Sequence, residues 1–187
     1  MVLEMSEIKL FFLNENYQKL TDLLISKHRF DNLFIDYIEL SLATPLEYKT
    51  MSVDSKIRKK FYDSDALYVD EEVYLSVFSS GISGLYLVPV DLKFSDGISF
   101  KYYRVDTRYQ LDVICENKSI FDEDGDIEKI YFDYEKINKI GKNKLNFFKI
   151  SGLDAYQYVV SDKVKEKLLP FSDDVQLKDE DEYEVLW

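Results

Sequence analysis

The sequence contains little cysteine, histidine, glycine or proline, and each shortage excludes a class of protein. Among 187 residues there are one cysteine, one histidine, six glycines and three prolines. Cys115 alone cannot form an internal disulfide or a multi-cysteine metal site, and its place in an apolar run predicts an inert core thiol. So few glycines and prolines exclude low-complexity linkers, and no change in composition divides the chain. We therefore expect a single domain, residues 1–187.

Basic residues are also outnumbered. The chain has 24 lysines and arginines against 36 aspartates and glutamates, so its formal net charge is −12. Sequence-independent binding to DNA or RNA needs clustered basic side chains, and we expect no nucleic-acid partner. The densest basic run, 56-KIRKK-60, is expected to be a solvated helix face. A strongly acidic protein attracts basic partners, because opposite potentials steer their encounter.

Long apolar runs are absent. No run approaches the roughly 20 residues of a membrane-spanning helix, so we expect no membrane partner. The first residues, MVLEMSEIKLFFLNEN, lack the basic region and small-residue cleavage site of a signal peptide. We therefore expect a soluble, cytoplasmic protein. Hydrophobic residues make up 46% of the chain and aromatic residues 16%, which is enough for a packed core.

Sequence signatures of catalysis are missing too. His28, the single histidine, lies between Lys27 and Arg29 and is expected at the surface. No phosphate-binding loop, dinucleotide fingerprint or nucleophile elbow occurs. Carboxylates are so numerous that an acid–base pair stays open, but no particular pair stands out. We predict no catalytic residues, no cofactor and no metal ligands.

Apolar periodicity predicts an α+β fold with a mainly antiparallel sheet and a few packing helices. Residues 17–29 have apolar residues at helical spacing, and residues 30–42 are strand-like. A strand at Leu67–Val69 leads into a helix capped by Asp70, which ends before Gly81 and Gly84. A fully apolar strand then follows at residues 85–90.

The second half of the chain continues this pattern. Phe94–Ile98 is a turn, and strands are predicted at 100–106, 109–115, 127–134 and 145–150. A last strand at 158–160 leads into a helix capped by Ser161, with Val164 and Leu168 on its apolar face, which Pro170 ends. Because 67–78 and 158–169 share a strand–cap–helix pattern, two similar lobes, 1–94 and 95–187, are an alternative within the single domain.

The most acidic internal stretch is 119-SIFDEDGDIEKIYFDY-134. Asp122, Asp124 and Asp126 have the 1-3-5 spacing of a calcium loop, but Ile127 stands where that loop needs glycine. Asp124-Gly125 is a preferred hairpin dipeptide. We therefore predict a β-hairpin whose carboxylates lie in water.

A second acidic stretch is 173-DDVQLKDEDEYEVLW-187, with seven acidic residues and one lysine. Aromatic residues among carboxylates are typical of a docking surface for a basic protein. The alternative is a final strand that packs its apolar side and exposes its acidic side. The predicted partner-binding residues are Asp122, Glu123, Asp124 and Asp126 of the hairpin, and Asp179, Glu180, Asp181, Glu182, Tyr183, Glu184 and Trp187 of this tail.

Four segments carry a resemblance to a known family: 85-LYLVPVDL-92, 102-YYRVDTRYQLDVICENKSIF-121, 145-LNFFKISG-152 and 158-YVVSDKVKEKL-168. Together, residues 67–170 resemble the α+β immunity-protein superfamily of bacterial polymorphic toxin systems. The resemblance implies a non-enzymatic inhibitor that binds a cognate toxin domain in the cytoplasm, and it implies no catalytic residues. Because the chain is acidic, we expect the toxin domain to be basic, and the inhibitor to be a monomer or weak dimer.

Two other functions stay open. A small cytosolic enzyme using a carboxylate pair would need a concave pocket that contains carboxylates of raised pKa. An acidic nucleic-acid mimic would need rows of carboxylates at about the spacing of phosphates.

Overall fold

The computed structural model describes residues 8–18, 24–26, 45–64, 66–153 and 157–185. The fold is mixed α+β, with curved, mainly antiparallel sheets and few helices. The strands are β1 (Leu10–Glu15), β2 (Leu24–Ser26), β3 (Leu46–Thr50), β4 (Phe61–Asp63), β5 (Leu67–Asp70), β6 (Leu85–Lys93), β7 (Ser99–Thr107), β8 (Gln110–Leu111), β9 (Ile120–Phe121), β10 (Ile127–Lys129), β11 (Phe147–Ile150), β12 (Tyr158–Ser161) and β13 (Val175–Lys178).

The helices are short. They are α1 (Glu71–Val73), which continues as a wider π-turn over Tyr74–Phe78, then α2 (Tyr134–Ile137) and α3 (Asp162–Leu168), with 3-10 turns at Ser55–Ile57, Lys142–Lys144 and Leu169–Phe171. Within the described ranges, none of the helices has the length and apolarity needed to cross a lipid bilayer.

The strands form two large sheets and one small hairpin. A five-stranded sheet has the order β13–β1–β12–β11–β8, and a six-stranded sheet has the order β2–β3–β6–β7–β5–β4. Neighbouring strands are antiparallel except at β8/β11 and β3/β6. Strands β9 and β10 form a separate two-stranded sheet, and among the described residues neither pairs with a third strand.

The two large sheets share one apolar core. Leu13 and Val160 contribute from the five-stranded sheet, and Val69 and Val105 from the six-stranded sheet. Leu168 of α3 packs into the same cluster. Because these side chains are almost fully removed from water, each stabilises the fold by roughly 1.5–3 kcal/mol.

Several predicted elements are confirmed. The strand at 67–69 and its helix exist, and the Asp70 carboxylate accepts a hydrogen bond from the backbone N–H of Val73 at 2.9 Å. Gly81 and Gly84 follow the helix with positive φ angles of 82° and 75°, which glycine adopts without a Cβ clash. The strand at 85–90 is the first part of β6, and the turn predicted at 94–98 joins β6 to β7.

The helix predicted over residues 17–29 is wrong where the structure describes it. Leu24–Ser26 forms β2 and pairs with β3, with Leu24 opposite Thr50. Cross-strand hydrogen bonds therefore replace the helical pattern that the leucine spacing suggested. The rest of that segment with Leu20, Leu23 and His28, and the strand-like residues 30–42, lie outside the described residues.

The strands predicted at 109–115 and 127–134 are shorter than expected. Only Gln110–Leu111 and Ile127–Lys129 are strands, and a single bridge joins Ile114 to Phe132. Between the two strands the chain turns sharply, since the N–H groups of residues 118 and 119 both donate to the carbonyl of Cys115.

Ser161 precedes α3 as predicted, but its hydroxyl does not cap the helix. The hydroxyl instead bonds the side-chain oxygen of Asn146 at 3.1 Å. Val164 and Leu168 are buried as expected. The proposed limit between residues 94 and 95 falls in the turn of the β6–β7 hairpin, so the six-stranded sheet extends across it. The division into two lobes stays a prediction.

Candidate functional site

The acidic stretch at 122–126 forms the predicted turn of a β-hairpin. The Asp122 N–H donates to the carbonyl of Asp126 at 2.8 Å, and one carboxylate oxygen of Asp122 accepts from the N–H groups of Asp124 and Asp126 at 2.9 and 2.8 Å. Gly125 has a φ of 92°, which explains why glycine follows Asp124. The side chains of Asp122, Glu123, Asp124 and Asp126 are all exposed.

Asp122, Asp124 and Asp126 have the spacing of a calcium loop. Within the described part of the chain, no three His, Cys, Asp or Glu side chains are arranged to hold a metal ion. The Asp122 carboxylate bonds its own turn, which is the usual role of aspartate at such a position.

The acidic tail begins with β13 and then turns at Asp179. The Asp179 carboxylate accepts from the N–H groups of Asp181 and Glu182, each at 3.1 Å, and its carbonyl accepts from the N–H of Tyr183 at 3.0 Å. The Glu180 carboxylate accepts from the N–H of Phe132 at 2.8 Å. Residues 179–183 of the tail therefore form a structured turn that is bonded to the body of the protein.

Tyr183 is a core residue, so its prediction as a partner-binding anchor is corrected. Its side chain is 6% exposed, and its ring centroid lies 3.8 Å from that of Phe12 in β1. Its hydroxyl donates to the side-chain oxygen of Gln157. Burial raises the pKa of the hydroxyl, so it stays a neutral donor. Trp187 lies outside the described residues.

The structure brings the two acidic segments together. The N–H of Val185 donates to the carbonyl of Glu128 in β10 at 3.1 Å, and the Lys129 ammonium donates to the carbonyl of Asp181 at 2.9 Å. We call residues 120–129 and 179–185 the acidic face. The first segment has five acidic residues and one lysine, and the second has five acidic residues and no basic one. The acidic face thus carries −9 of the formal net charge of −12.

Among the described residues, no salt bridge offsets this charge. Salt bridges join Lys60 to Glu72, Lys101 to Glu71 and Lys136 to Asp112, all outside the acidic face. With respect to the other described residues, no carboxylate of the acidic face forms a salt bridge. Because like charges in one surface region reinforce each other, the face has a strong negative potential.

Two apolar side chains of the acidic face were not among the predicted residues. Ile120 is 47% exposed and Phe121 is 42% exposed, although both lie in β9. Successive strand residues point to opposite faces, so exposure of both means that β9 projects from the core. In the sequence, an apolar pair before an aspartate-rich turn predicts a core strand, which is why the pair was missed.

A groove of about 390 Å³ borders the acidic face. One wall is the tail at Asp179–Asp181, and the others include Tyr134 and Lys165. The Lys165 ammonium lies 3.5 Å from the ring centroid of Phe11, which also lines the groove. Such a volume is enough for a partner side chain or a small molecule.

A separate pair of carboxylates, one buried and one partly buried, lies at the ends of β1 and β4. Glu15 is 2% exposed and forms an ion pair of 2.5 Å with Lys59, while its second oxygen accepts from the N–H of Asp63 at 2.9 Å. Burial, and then the charge of Glu15, raise the pKa of the Asp63 carboxyl to about 7. Burial also raises the pKa of Glu15. These are carboxylates of the kind that the enzyme hypothesis needs, but neither lines the groove.

Comparison with models of known protein families gives no match, and comparison with curated proteins gives none either. The geometry of the acidic face is therefore the main support for a function.

Proposed function

We propose that this chain is an immunity protein, which binds a cognate bacterial toxin domain in the cytoplasm and neutralises it without catalysis. The observation that carries the proposal is the acidic face, in which two segments far apart in sequence are held side by side by Val185–Glu128 and Lys129–Asp181 hydrogen bonds. This arrangement supports binding better than acidic composition alone does, because it concentrates negative charge on one surface.

The charge suits a basic toxin domain. Toxins that cleave nucleic acid present basic surfaces to their substrate, and a surface with a charge of −9 competes for the same side chains. Charge attraction raises the association rate, to about 10⁸ M⁻¹s⁻¹ or more at low ionic strength. The inhibitor then needs no catalytic group, since covering the toxin is sufficient.

Apolar contact would keep the complex together once it forms. Charged residues alone contribute little net affinity in water, whereas buried aromatic and aliphatic side chains dominate binding energy. Phe121 and Ile120 are exposed and flanked by the carboxylates of the turn. They take the anchoring role that the sequence had suggested for Tyr183.

The first test is co-expression of the tagged chain with the protein encoded immediately upstream. We expect a one-to-one complex on size-exclusion chromatography, and growth of cells that express the upstream protein only when this chain is present. A compact monomer that neither binds the upstream protein nor restores growth would contradict the proposal.

A charge-reversal pair of variants then tests the acidic face itself. The triple variant Asp124→Lys, Asp181→Lys, Glu182→Lys changes exposed side chains of the face that make no hydrogen bond needed by the turns. The control variant Asp91→Lys, Glu166→Lys, Asp173→Lys changes the net charge equally at exposed positions outside the face. We expect loss of rescue and at least a hundredfold slower association for the first variant, and near wild-type behaviour for the control. Equal losses would mean that only total charge matters.

An enzyme with a carboxylate pair is the second candidate, and the raised pKa of Asp63 favours it. The Asp63→Asn variant separates the two functions. If the chain protects by binding, the variant still restores growth, since Asp63 lies outside the acidic face. If protection depends on an enzymatic reaction at Asp63, the variant does not restore growth.

A further inference from the structure

The hairpin of the acidic face has one closed edge and one open edge. On the β10 side, the N–H of Val185 bonds the carbonyl of Glu128, so the tail covers this edge. On the other side, β9 pairs with β10 alone, and among the described residues no further strand lies beside it. An open strand edge presents backbone donors and acceptors to another chain.

The register identifies which backbone groups face outward. The Asp122 N–H bonds the Asp126 carbonyl, so these two residues form a hydrogen-bonded pair. In an antiparallel ladder such pairs alternate with non-bonded ones, and Phe121 opposite Ile127 is the next pair. The N–H and C=O of Phe121 therefore point away from β10, at the open edge.

Strand β9 is short, and the register of the hairpin shifts opposite it between Ile127 and Lys129, but β9 itself contains no proline and no charged residue. Proteins place proline, lysine or inward-pointing charges on edge strands to prevent pairing. Strand β9 consists of Ile120 and Phe121 only, both with exposed apolar side chains. A paired segment would thus gain two backbone hydrogen bonds at Phe121 and apolar contacts on both faces of the hairpin.

Charge decides which occupant fits. A second copy of the chain would bring another acidic face, with a further charge of −9, against the first. An extended segment rich in lysine or arginine would instead meet the carboxylates of Asp122, Glu123 and Asp124 next to β9. The open edge therefore favours a basic strand over self-association.

We infer that the open edge of β9 at Phe121 receives an extended basic segment of the partner, which adds a strand to the hairpin through the backbone of Phe121. This inference rests on the proposed function, because it states how the same acidic face binds its partner. Strand addition explains how a two-residue strand contributes to binding: the backbone bonds set the register, and the apolar pair and the carboxylates add affinity and selectivity.

The probe is the peptide Lys-Val-Lys-Val-Lys-Val-Lys, compared with the same peptide carrying N-methyl groups on alternate amides. Both have the same charge, but the methylated peptide lacks the donors for one ladder edge. We expect at least tenfold tighter binding of the unmethylated peptide by fluorescence anisotropy. We also expect at least tenfold slower hydrogen exchange of the Phe121 amide in its presence. Equal affinity for both peptides would overturn the inference and leave simple charge attraction.

Two variants of one residue separate the backbone from the ring. Phe121→Ala removes the ring and keeps the N–H, whereas Phe121→Pro also removes the N–H, which makes no bond inside the hairpin. We expect Phe121→Pro to bind the unmethylated peptide at least tenfold more weakly than Phe121→Ala, with circular dichroism confirming the fold of both. If Phe121→Pro does not fold, the comparison of the two peptides still shows whether binding depends on backbone hydrogen bonds.

The same exchange measurement distinguishes failure of this inference from failure of the proposed function. A complex with the upstream protein in which the Phe121 amide exchanges as fast as in the free chain would overturn strand addition and leave the immunity function standing. If the unmethylated peptide binds more tightly than the methylated one but no complex forms with the upstream protein, strand addition at β9 is supported and the immunity function is contradicted. If sedimentation equilibrium shows a dimer of the wild type and a monomer of Phe121→Pro, the open edge of β9 binds a second copy of the chain, and the inference of a basic partner segment is overturned.

Discussion

Replacing Asp63 by asparagine is expected to stabilise the protein above neutral pH and to have little effect below about pH 4. The pKa of Asp63 is raised from 3.8 to about 7 by burial and by Glu15. In the folded protein the carboxyl therefore holds its proton up to about pH 7, whereas in the unfolded chain it loses the proton near pH 4. Between these values the folded state binds more protons, so stability falls as the pH rises.

The magnitude follows from the pKa difference. At about 1.4 kcal/mol per pH unit, a rise from 3.8 to about 7 corresponds to about 4 kcal/mol of lost stability above pH 7. Because Asp63 is only partly buried and part of the shift comes from the charge of Glu15, we expect the Asp63→Asn variant to recover about 2–4 kcal/mol at pH 8.5. Below pH 4 both states of wild-type Asp63 are neutral, and the gain disappears.

Urea denaturation between pH 4 and pH 8.5 is the assay, with Asp91→Asn as the control at an exposed position of β6. We expect the free energy of unfolding of the wild type to fall across this range relative to Asp63→Asn, and Asp91→Asn to follow the wild type. The reasoning would be refuted by a constant difference between Asp63→Asn and wild type at all pH values. The pKa of Asp63 can also be measured by NMR, from the chemical shift of its carboxyl carbon as a function of pH. A pKa near 4 would refute the reasoning too.

Four other perturbations test the structure. Tyr183→Ala should cost about 3–5 kcal/mol in urea denaturation because it leaves a cavity beside β1, whereas Tyr183→Phe should cost about 1 kcal/mol. Glu180→Ala should cost about 1–3 kcal/mol by leaving the N–H of Phe132 without an acceptor, and Glu180→Gln should restore most of this. Gly84→Ala should lower the midpoint of thermal unfolding more than Gly81→Ala. Both glycines have positive φ, but only a Cβ added at Gly84 would meet a ring atom of Tyr109, at 2.4 Å. Equal effects of the two substitutions would exclude this clash as a cause. The association rate with the basic partner should fall at least tenfold between 0.05 and 0.5 M salt by stopped-flow fluorescence, and a salt-independent rate would contradict the role of the acidic face.

Elements set by neighbouring residues were predictable from the sequence. Asp124-Gly125 specifies a tight turn through glycine's access to positive φ, and Asp70 caps its helix through a side chain three residues from its donor. These signals are local, so a single sequence contains them. The helix prediction around Leu24 was wrong for the opposite reason. Pairing with the distant strand β3, in which Leu24 lies opposite Thr50, decides the structure of Leu24–Ser26.

The candidate site was predicted in part. Its carboxylates are visible in the sequence, but the contact of Val185 with Glu128 is not, since no local pattern indicates which distant segments meet. Tyr183 looked like an exposed anchor among charges, yet it stacks on Phe12, which lies at the other end of the sequence. Exposure of Phe121 likewise depends on how far the hairpin projects, which only the folded chain shows.

The position of β1 has a consequence for synthesis on the ribosome. Strand β1 lies between β12 and β13, and its residues pair with partners about 150 positions later in the chain. At 5–20 residues per second, those partners emerge about 8–30 s after β1 does. During this interval Leu10–Leu13 have no native neighbours in their sheet, whereas the strands of the six-stranded sheet are complete once Thr107 has been made. A nascent chain stalled before β12 would thus expose an apolar strand, which makes it a natural target for chaperones that bind extended apolar segments.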